Sequence, residues 1–388
     1  MDHADIGNQS AMTNRPKRDD ALLASLQQLC SLGLASETVM PDLLKGLSRW
    51  MGCDNGQFVW VDAQQRPCNF YCDAGDASIW QNYLSIFDQL GIPGWKTLDW
   101  YQQSERATVV GGRHDQGYYR SSFYGEIMHA VGGECSICIP IRDSGGLVRG
   151  SIGLNRQTSV HAFNDADRLD YEQFASHLSL LFSNCIEPEA SNFQRIGERG
   201  IAVFDYAGKL LYSDDPGRQL LFLTGYPKIR RLDHNANTPG VEINIRRICS
   251  SLQSIARGKP AQAPAFEWVT AWGRIGFRGR LLSSTTENNG GTIGMDIVRY
   301  IPRRIAFWRQ ISSLDLPLRQ RQVCLEFVEN RSLTDIAKRL GISRNTVIDH
   351  VNKLYDRFGL EPSRENLQEF LSQLRSPDRY ALDFTEPQ

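Results

Sequence analysis

Positions 343–353 read Ser-Arg-Asn-Thr-Val-Ile-Asp-His-Val-Asn-Lys. This stretch of about three helical turns carries the cations Arg344 and Lys353, the amides Asn345 and Asn352, the hydroxyls of Ser343 and Thr346, the imidazole of His350 and the carboxylate of Asp349. Cations and hydroxyls suit phosphate oxygens, amides suit base edges, and the Ile348 side chain suits a thymine methyl. At helical spacing Val347, Val351 and Leu354 share one face, which leaves most of the polar set on the other side. Asp349 is the informative exception, because phosphates repel a carboxylate whereas cytosine N4 donates a hydrogen bond to it in the major groove.

Such a helix needs neighbours to aim it. Ser343 is placed to cap its start, and Gly341 to stop a preceding helix that opens at Ser332 or Thr334 and contains Ile336, Ala337 and Leu340. Residues 319–329 form another helix, with Val323, Leu325, Phe327 and Val328 toward a core, and residues 302–314 hold a connecting helix. Two helices joined by a short Gly-containing turn are a helix-turn-helix. A final helix at 363–374 carries the apolar stripe Leu367, Phe370, Leu371 and Leu374, expected to pair two copies. Residues 302–365 hold 12 Lys and Arg against 8 Asp and Glu, while the rest of the chain holds 31 against 36. The basic charge is therefore local, although the whole chain has a net charge of -1.

This segment resembles the LuxR-type DNA-binding domain. The carriers are Leu316, Arg319 and Val323, then Ile336, Ala337 and Leu340, then Ile342 and Ser343, then Thr346, Val347, His350 and Val351, and the tail from Phe358-Gly359-Leu360 to Ser363-Arg364. The resemblance implies that the helix from Ser343 enters the major groove, that Thr346 and His350 approach phosphates, and that the last helix pairs two domains. The chain departs from the family at Ile348, commonly a cation, at Asp349, at Gln320 or Gln322 where a Glu is usual, and at Asn330 where a Gly is usual.

Upstream, apolar residues recur at helical spacing in Leu22, Leu23, Leu26, Leu29 and Cys30 and again in Leu43, Leu44, Leu47 and Trp50. Strands are expected at 57–62, 134–141 and 148–154, the last two joined by a turn at 143–146, before a long helix capped by Asn164. The stretch from Ser136 to Phe182 resembles the closing part of a GAF domain. Aromatic residues are dense here, and Trp60, Tyr71, Trp80, Trp95, Trp100 and Tyr118 are the expected lining of a ligand pocket. After Glu187-Pro188-Glu189, two short strands around 206–209, a helix from Asp214 or Asp215, and strands across 265–284 and 291–302 resemble a PAS-like domain.

The expected architecture is thus α+β and multidomain: a flexible leader at 1–19, a GAF-like sensory domain at 20–186, a linker at 187–194, a PAS-like domain at 195–301, the connecting helix at 302–314, an all-α helix-turn-helix bundle at 315–376 and a tail at 377–388. No apolar run approaches the length of a membrane span, the beginning reads as no signal peptide, and nine scattered cysteines suit a reducing cytoplasm. Cys135 and Cys138, three apart in a strand, point to opposite faces and do not share a metal. No phosphate-binding loop, nucleophile elbow or kinase motif is present. Neither catalysis nor a metal nor a cofactor is expected. The expected function is transcription regulation by a cytoplasmic homodimer, with double-stranded DNA, a small-molecule effector and, for an activator, RNA polymerase as partners. Two other readings are a ligand-free dimerisation scaffold with a DNA-binding tail and, from the GAF resemblance with its cysteines, a thiol-dependent reductase.

Overall fold

The computed structural model describes residues 19–65, 67–74, 106–111, 116–121, 124–157, 162–182, 193–225, 240–282 and 292–374. Within them the protein is α+β: two antiparallel five-stranded sheets with their helices precede a region of helices alone. In order these are α1 (Asp20–Cys30), α2 (Ser36–Met51), β1 (Asn55–Val61), β2 (Pro67–Cys72), β3 (Thr108–Gly111), α3 (Gln116–Tyr119), β4 (Cys135–Arg142), β5 (Val148–Arg156) and α4 (Asp165–Leu178). Then come β6 (Phe193–Phe204), β7 (Leu210–Ser213), α5 (Asp215–Leu223), α6 (Val241–Ala256), β8 (Ala265–Thr270), β9 (Gly273–Leu282) and β10 (Thr292–Pro302). The helical region holds α7 (Arg303–Ser312), α8 (Leu318–Val328), α9 (Leu333–Leu340), α10 (Arg344–Phe358) and α11 (Arg364–Leu374). Asp19, assigned to the leader, accepts from the amides of Ala21 and Leu22 and caps α1. Residues 193 and 194, assigned to the linker, begin β6.

The sheets run β2-β1-β5-β4-β3 and β7-β6-β10-β9-β8, one topology used twice. Period-two alternation sorts the first sheet into an apolar face, with Phe58, Trp60, Ile137, Ile139, Ile152 and Leu154, that packs on α1, α2 and α4. Asn164 and Asp167 close a capping box at the start of α4. In the second sheet Phe204, Phe277, Ile293, Met295 and Ile297 face α5 and α6.

α7 begins where β10 ends and buries Ile305, Phe307, Trp308 and Ile311. Its contacts reach back to the first helices: the Trp308 indole donates to the Ser25 carbonyl at 3.2 Å, Ser312 and Ser25 hydroxyls meet at 2.9 Å, and Arg309 is bidentate on Asp42 at 2.7 and 2.9 Å.

α11 corrects an expectation. Leu367 and Leu371 are 0% exposed in the chain's own core, and Phe370 stacks on Phe358 with ring centroids 4.4 Å apart. Leu367 and Leu371 are used up inside the chain, since α8 and α10 offer the apolar surface that covers them, while Phe370 is half-buried. Leu367 and Leu371 are therefore not free to pair two copies; of Leu374 the structure gives the helical position alone. Leu367→Ala or Leu371→Ala is expected to lower the unfolding free energy by about 2–5 kcal/mol in a urea titration, with the oligomeric state in sedimentation unchanged. Lost association at full stability would return both leucines to an interface.

Candidate nucleic-acid interface and effector site

The polar helix predicted from position 343 is α10. The Ser343 hydroxyl accepts from the Thr346 amide at 3.0 Å and meets the Thr346 hydroxyl at 2.8 Å, so the residue that caps the helix also fixes Thr346 at its first turn. Gly341 turns out of α9 with φ 63°, and Gly359 ends α10 with φ 63°, both in the left-handed region that glycine occupies without a Cβ penalty. Asn330, where the family pattern has glycine, adopts φ 59° and accepts from Gln368 through its side chain at 2.7 Å. Asparagine tolerates that region, so the departure preserves the turn. α9 itself is capped by Ser332, whose hydroxyl accepts from the Asp335 amide.

On α10, Val347, Val351, Leu354 and Tyr355 are buried. Ser343, Arg344, Asn345, Asp349, Asn352 and Lys353 are exposed, while Thr346, Ile348 and His350 are half-buried at the margin. Among the described residues Asp349 forms no ion pair with Lys353, although the i,i+4 spacing allows one. His350 Nδ1 is buried and has no hydrogen-bond partner among the described residues. The helix thus presents cations, amides and the carboxylates of Asp349 and Asp356 to solvent on the face opposite its core.

A second constellation lies on the other face of the first sheet. Register places Cys72, Gln57, Gly153, Cys138 and Thr108 in one row across all its strands, and Asn55, Asn155 and Ser136 in the next. Ser136 donates to Asn155 Oδ1 at 2.6 Å, Asn155 Nδ2 donates to Asn55 Oδ1 at 2.6 Å and Gln57 Oε1 at 3.2 Å, and Asn55 Nδ2 donates to the Val131 carbonyl at 2.9 Å. The Tyr118 hydroxyl donates to the Gly133 carbonyl at 2.5 Å beside it. A Cβ at Gly153 would stand 3.0 Å from Gln57 Nε2 and 3.2 Å from Cys138 Sγ, tighter than ordinary contact, so glycine is what lets these two side chains close over the strand there. Buried amides and hydroxyls stay hydrogen-bonded because leaving one unpaired costs about 1–3 kcal/mol. The sequence signal for this face is the alternation of small polar residues with apolar ones in β4 and β5, which the aromatic residues do not mark.

The aromatic pocket is corrected at the positions the structure describes. Trp60 and Tyr71 lie beside Trp272, from the turn between β8 and β9 of the second sheet, with ring centroids at 5.3 and 5.4 Å. The Trp60 indole donates to Ser36 Oγ at 2.9 Å, and Thr38 donates to the Ala271 carbonyl at 2.5 Å. These rings line a joint between the two sheets that the protein itself fills. Tyr118 belongs elsewhere, stacked with Tyr119 and Tyr124 at about 5 Å. Trp80, Trp95 and Trp100 lie outside the described residues.

No family model matches the chain, and no curated protein matches it. Among solved structures it is distantly similar to the GAF domain of the cyanobacteriochrome TePixJ, with 13% identity over 40% of this chain and 92% of that one and a TM-score of 0.30. A chain of the E. coli DhaR(N)–DhaL complex matches at 14% identity over 74% of this chain and 92% of its own, with a TM-score of 0.24. The Vibrio cholera VqmA–ligand–DNA complex matches at 15% identity over 47% of this chain and 85% of its own, with a TM-score of 0.20.

The thiols bear on redox chemistry, since the thiolate is the reactive form. Cys135 and Cys138 occupy opposite faces of β4. Burial pushes the Cys30 and Cys324 thiols up to about 12 and the Cys68 thiol up to about 11, the last helped by Asp62 and Glu37. Iodoacetamide at pH 7 is expected to leave Cys30 and Cys324 unmodified in the folded protein and to reach both after denaturant is added, by mass spectrometry. Alkylation of either at the rate of a free thiol would place it outside the core.

Proposed function

We propose that the chain is a cytoplasmic, sequence-specific DNA-binding transcriptional regulator of the LuxR type, in which α9 and α10 form the helix-turn-helix and α10 enters the major groove. What carries this reading is the division of α10 into a buried apolar face and an exposed one bearing Arg344, Asn345, Asp349, Asn352 and Lys353. In this reading Arg344 and Lys353 neutralise phosphates with the help of Ser343, Thr346 and His350, while Asn345, Ile348, Asp349 and Asn352 meet base edges. The unpaired Asp349 supports direct readout of a cytosine over an intrahelical salt bridge. Two copies bind a two-fold symmetric site, paired through a surface other than the Leu367–Leu371 stripe, and an activator would contact RNA polymerase from that position.

The first sheet is a sensor of a small molecule, and the face bearing the Asn55, Asn155 and Ser136 row is the part we assign to it. The chain binds its effector and carries out no catalysis on it. The scaffold reading is favoured at one place, the joint of Trp60, Tyr71 and Trp272, where protein already fills the space.

Selection of sites from a random duplex pool tests the regulator reading: wild type is expected to enrich a palindrome, and enrichment of nothing overturns it. Arg344→Ala and Lys353→Ala are each expected to weaken random and selected duplex alike, and to flatten log K against log salt by about 0.9 for each phosphate no longer neutralised. Asp349→Ala is expected to bind random duplex at least as well, and to lose roughly 1–3 kcal/mol of discrimination at one base pair. Unchanged preferences at every position would leave Asp349 a structural role. Native mass spectrometry of protein from its own host is expected to show a retained small molecule, and its absence overturns the sensor reading.

A further inference from the structure

Arg304, in the first turn of α7, faces two parts of the molecule at once. Its Nη1 donates to the Leu32 carbonyl, just past α1, at 2.6 Å. Its Nη2 donates to Glu326 Oε1 at 3.1 Å, and its Nε lies 2.9 Å from Glu329 Oε1, both carboxylates belonging to the end of α8. The other Glu326 oxygen has Arg331 Nε at 2.9 Å and Arg339 Nε at 2.8 Å. Arg339 stands in the last turn of α9, immediately before the Gly341 turn into α10.

We infer that Arg304 is the positioning residue through which the N-terminal helices hold α10 in its orientation. This rests on the DNA-binding reading for why that orientation matters, while the contacts stand without it. The Glu326 side chain is 9% exposed. Burying a carboxylate is costly unless cations pair with it, which ties Arg304, Arg331 and Arg339 to one point. Arg331 and Arg339 belong to the helical region; Arg304 alone of the three also bonds the Leu32 carbonyl. A planar guanidinium spreads its donors in a fixed fork, so Nη1 serves the neutral Leu32 carbonyl on one side and Nη2 the Glu326 carboxylate on the other, while Glu329 lies close to Nε as a charge. A lysine ammonium is a single point of charge and meets one of these partners at a time. The Arg304 head is therefore a rigid link of one residue between the α1–α2 connection and the Glu326 centre, and that centre fixes the end of α9.

The test uses the full chain as wild type, Arg304→Gln, Arg304→Lys and Arg331→Gln, followed by hydrogen exchange and by binding to selected and random duplex. Arg304→Gln is expected to speed exchange on the order of tenfold both around Leu32 and in α8 and α9. Arg331→Gln takes a cation from the same Glu326 and is expected to loosen α8 and α9 while the Leu32 segment stays as in wild type. Arg304→Lys keeps the charge; it is expected to restore α8 and α9 and leave the Leu32 segment loose, and it serves if Arg304→Gln does not fold. In binding, both Arg304 variants are expected to lose preference for selected over random duplex severalfold at an unchanged salt slope, because every cation that neutralises a phosphate is still in place. A structural role alone would lower both affinities together and leave the ratio untouched. An unchanged Leu32 segment in Arg304→Gln, or the same pattern in Arg304→Gln and Arg331→Gln, overturns the inference. The expected exchange pattern with no duplex binding by wild type would instead overturn the DNA reading and leave the link standing.

Discussion

β10 ends at Pro302 and α7 begins at Arg303, so no slack separates the last strand of the second sheet from the helix that leads to the C-terminal region. α7 must bury Ile305, Phe307, Trp308 and Ile311, and it does so against the first helices as well as its own neighbours. Wherever the sheets place α7, the helices beyond it follow. Arg309 adds a charged tie, bidentate on Asp42 and within 3.6 Å of Glu198 on β6, which in turn pairs with the buried Arg299. Arg299 also donates to the Trp272 carbonyl at 2.9 Å, so the charge network and the aromatic joint meet at one residue. Arg309 and Arg299 each meet two partners, Asp42 with Glu198 and Glu198 with the Trp272 carbonyl, which offsets part of the cost of their burial.

The two sheets share a topology and differ in what their outer faces do. In the second, Arg199 and Arg280 both pair with Asp296 across neighbouring strands, and the face is solvated. In the first, the corresponding face carries a chain of buried amides and a hydroxyl whose donors and acceptors are matched to one another. A face built only to pack would be apolar, because burying amides contributes little beyond what their hydrogen bonds return. The polar rows are therefore the part of the first sheet that packing alone does not explain.

The helical region was legible from sequence nearly residue by residue. Ser332, Gly341 and Ser343 act where their types said they would, because capping depends on local geometry and one side chain. The Asn164 cap, the Asp214 start of α5 and the turn at 143–146 are local in the same way. β1, β4 and β5 were legible from alternation within a residue or two at their ends, whereas β2 and β3 were not read at all and β6, from Phe193, is far longer than the short strand expected. The phase of α10 followed from its valines and leucine, and with it the identity of the exposed side chains.

Partnership across the chain was not legible. The stripe on α11 reads as an interface because a helix pattern records that a face is apolar and not what covers it; α8 and α10 do so here. Trp60 and Tyr71 read as a pocket, yet the ring that fills the space between them is Trp272, some two hundred residues along the chain and invisible to any local pattern. Arg304 carries no sequence signal at all, since an arginine at the start of a helix is ordinary until Leu32 and Glu326 are brought to it from either side. Amino-acid order by itself determined caps, turns, strand alternation and the outward face of α10, all set by neighbours a few bonds away. Tertiary structure decided which apolar faces are spent inside the chain, which polar face is enclosed and which charges meet, because those depend on contacts that form only when distant segments are folded against each other.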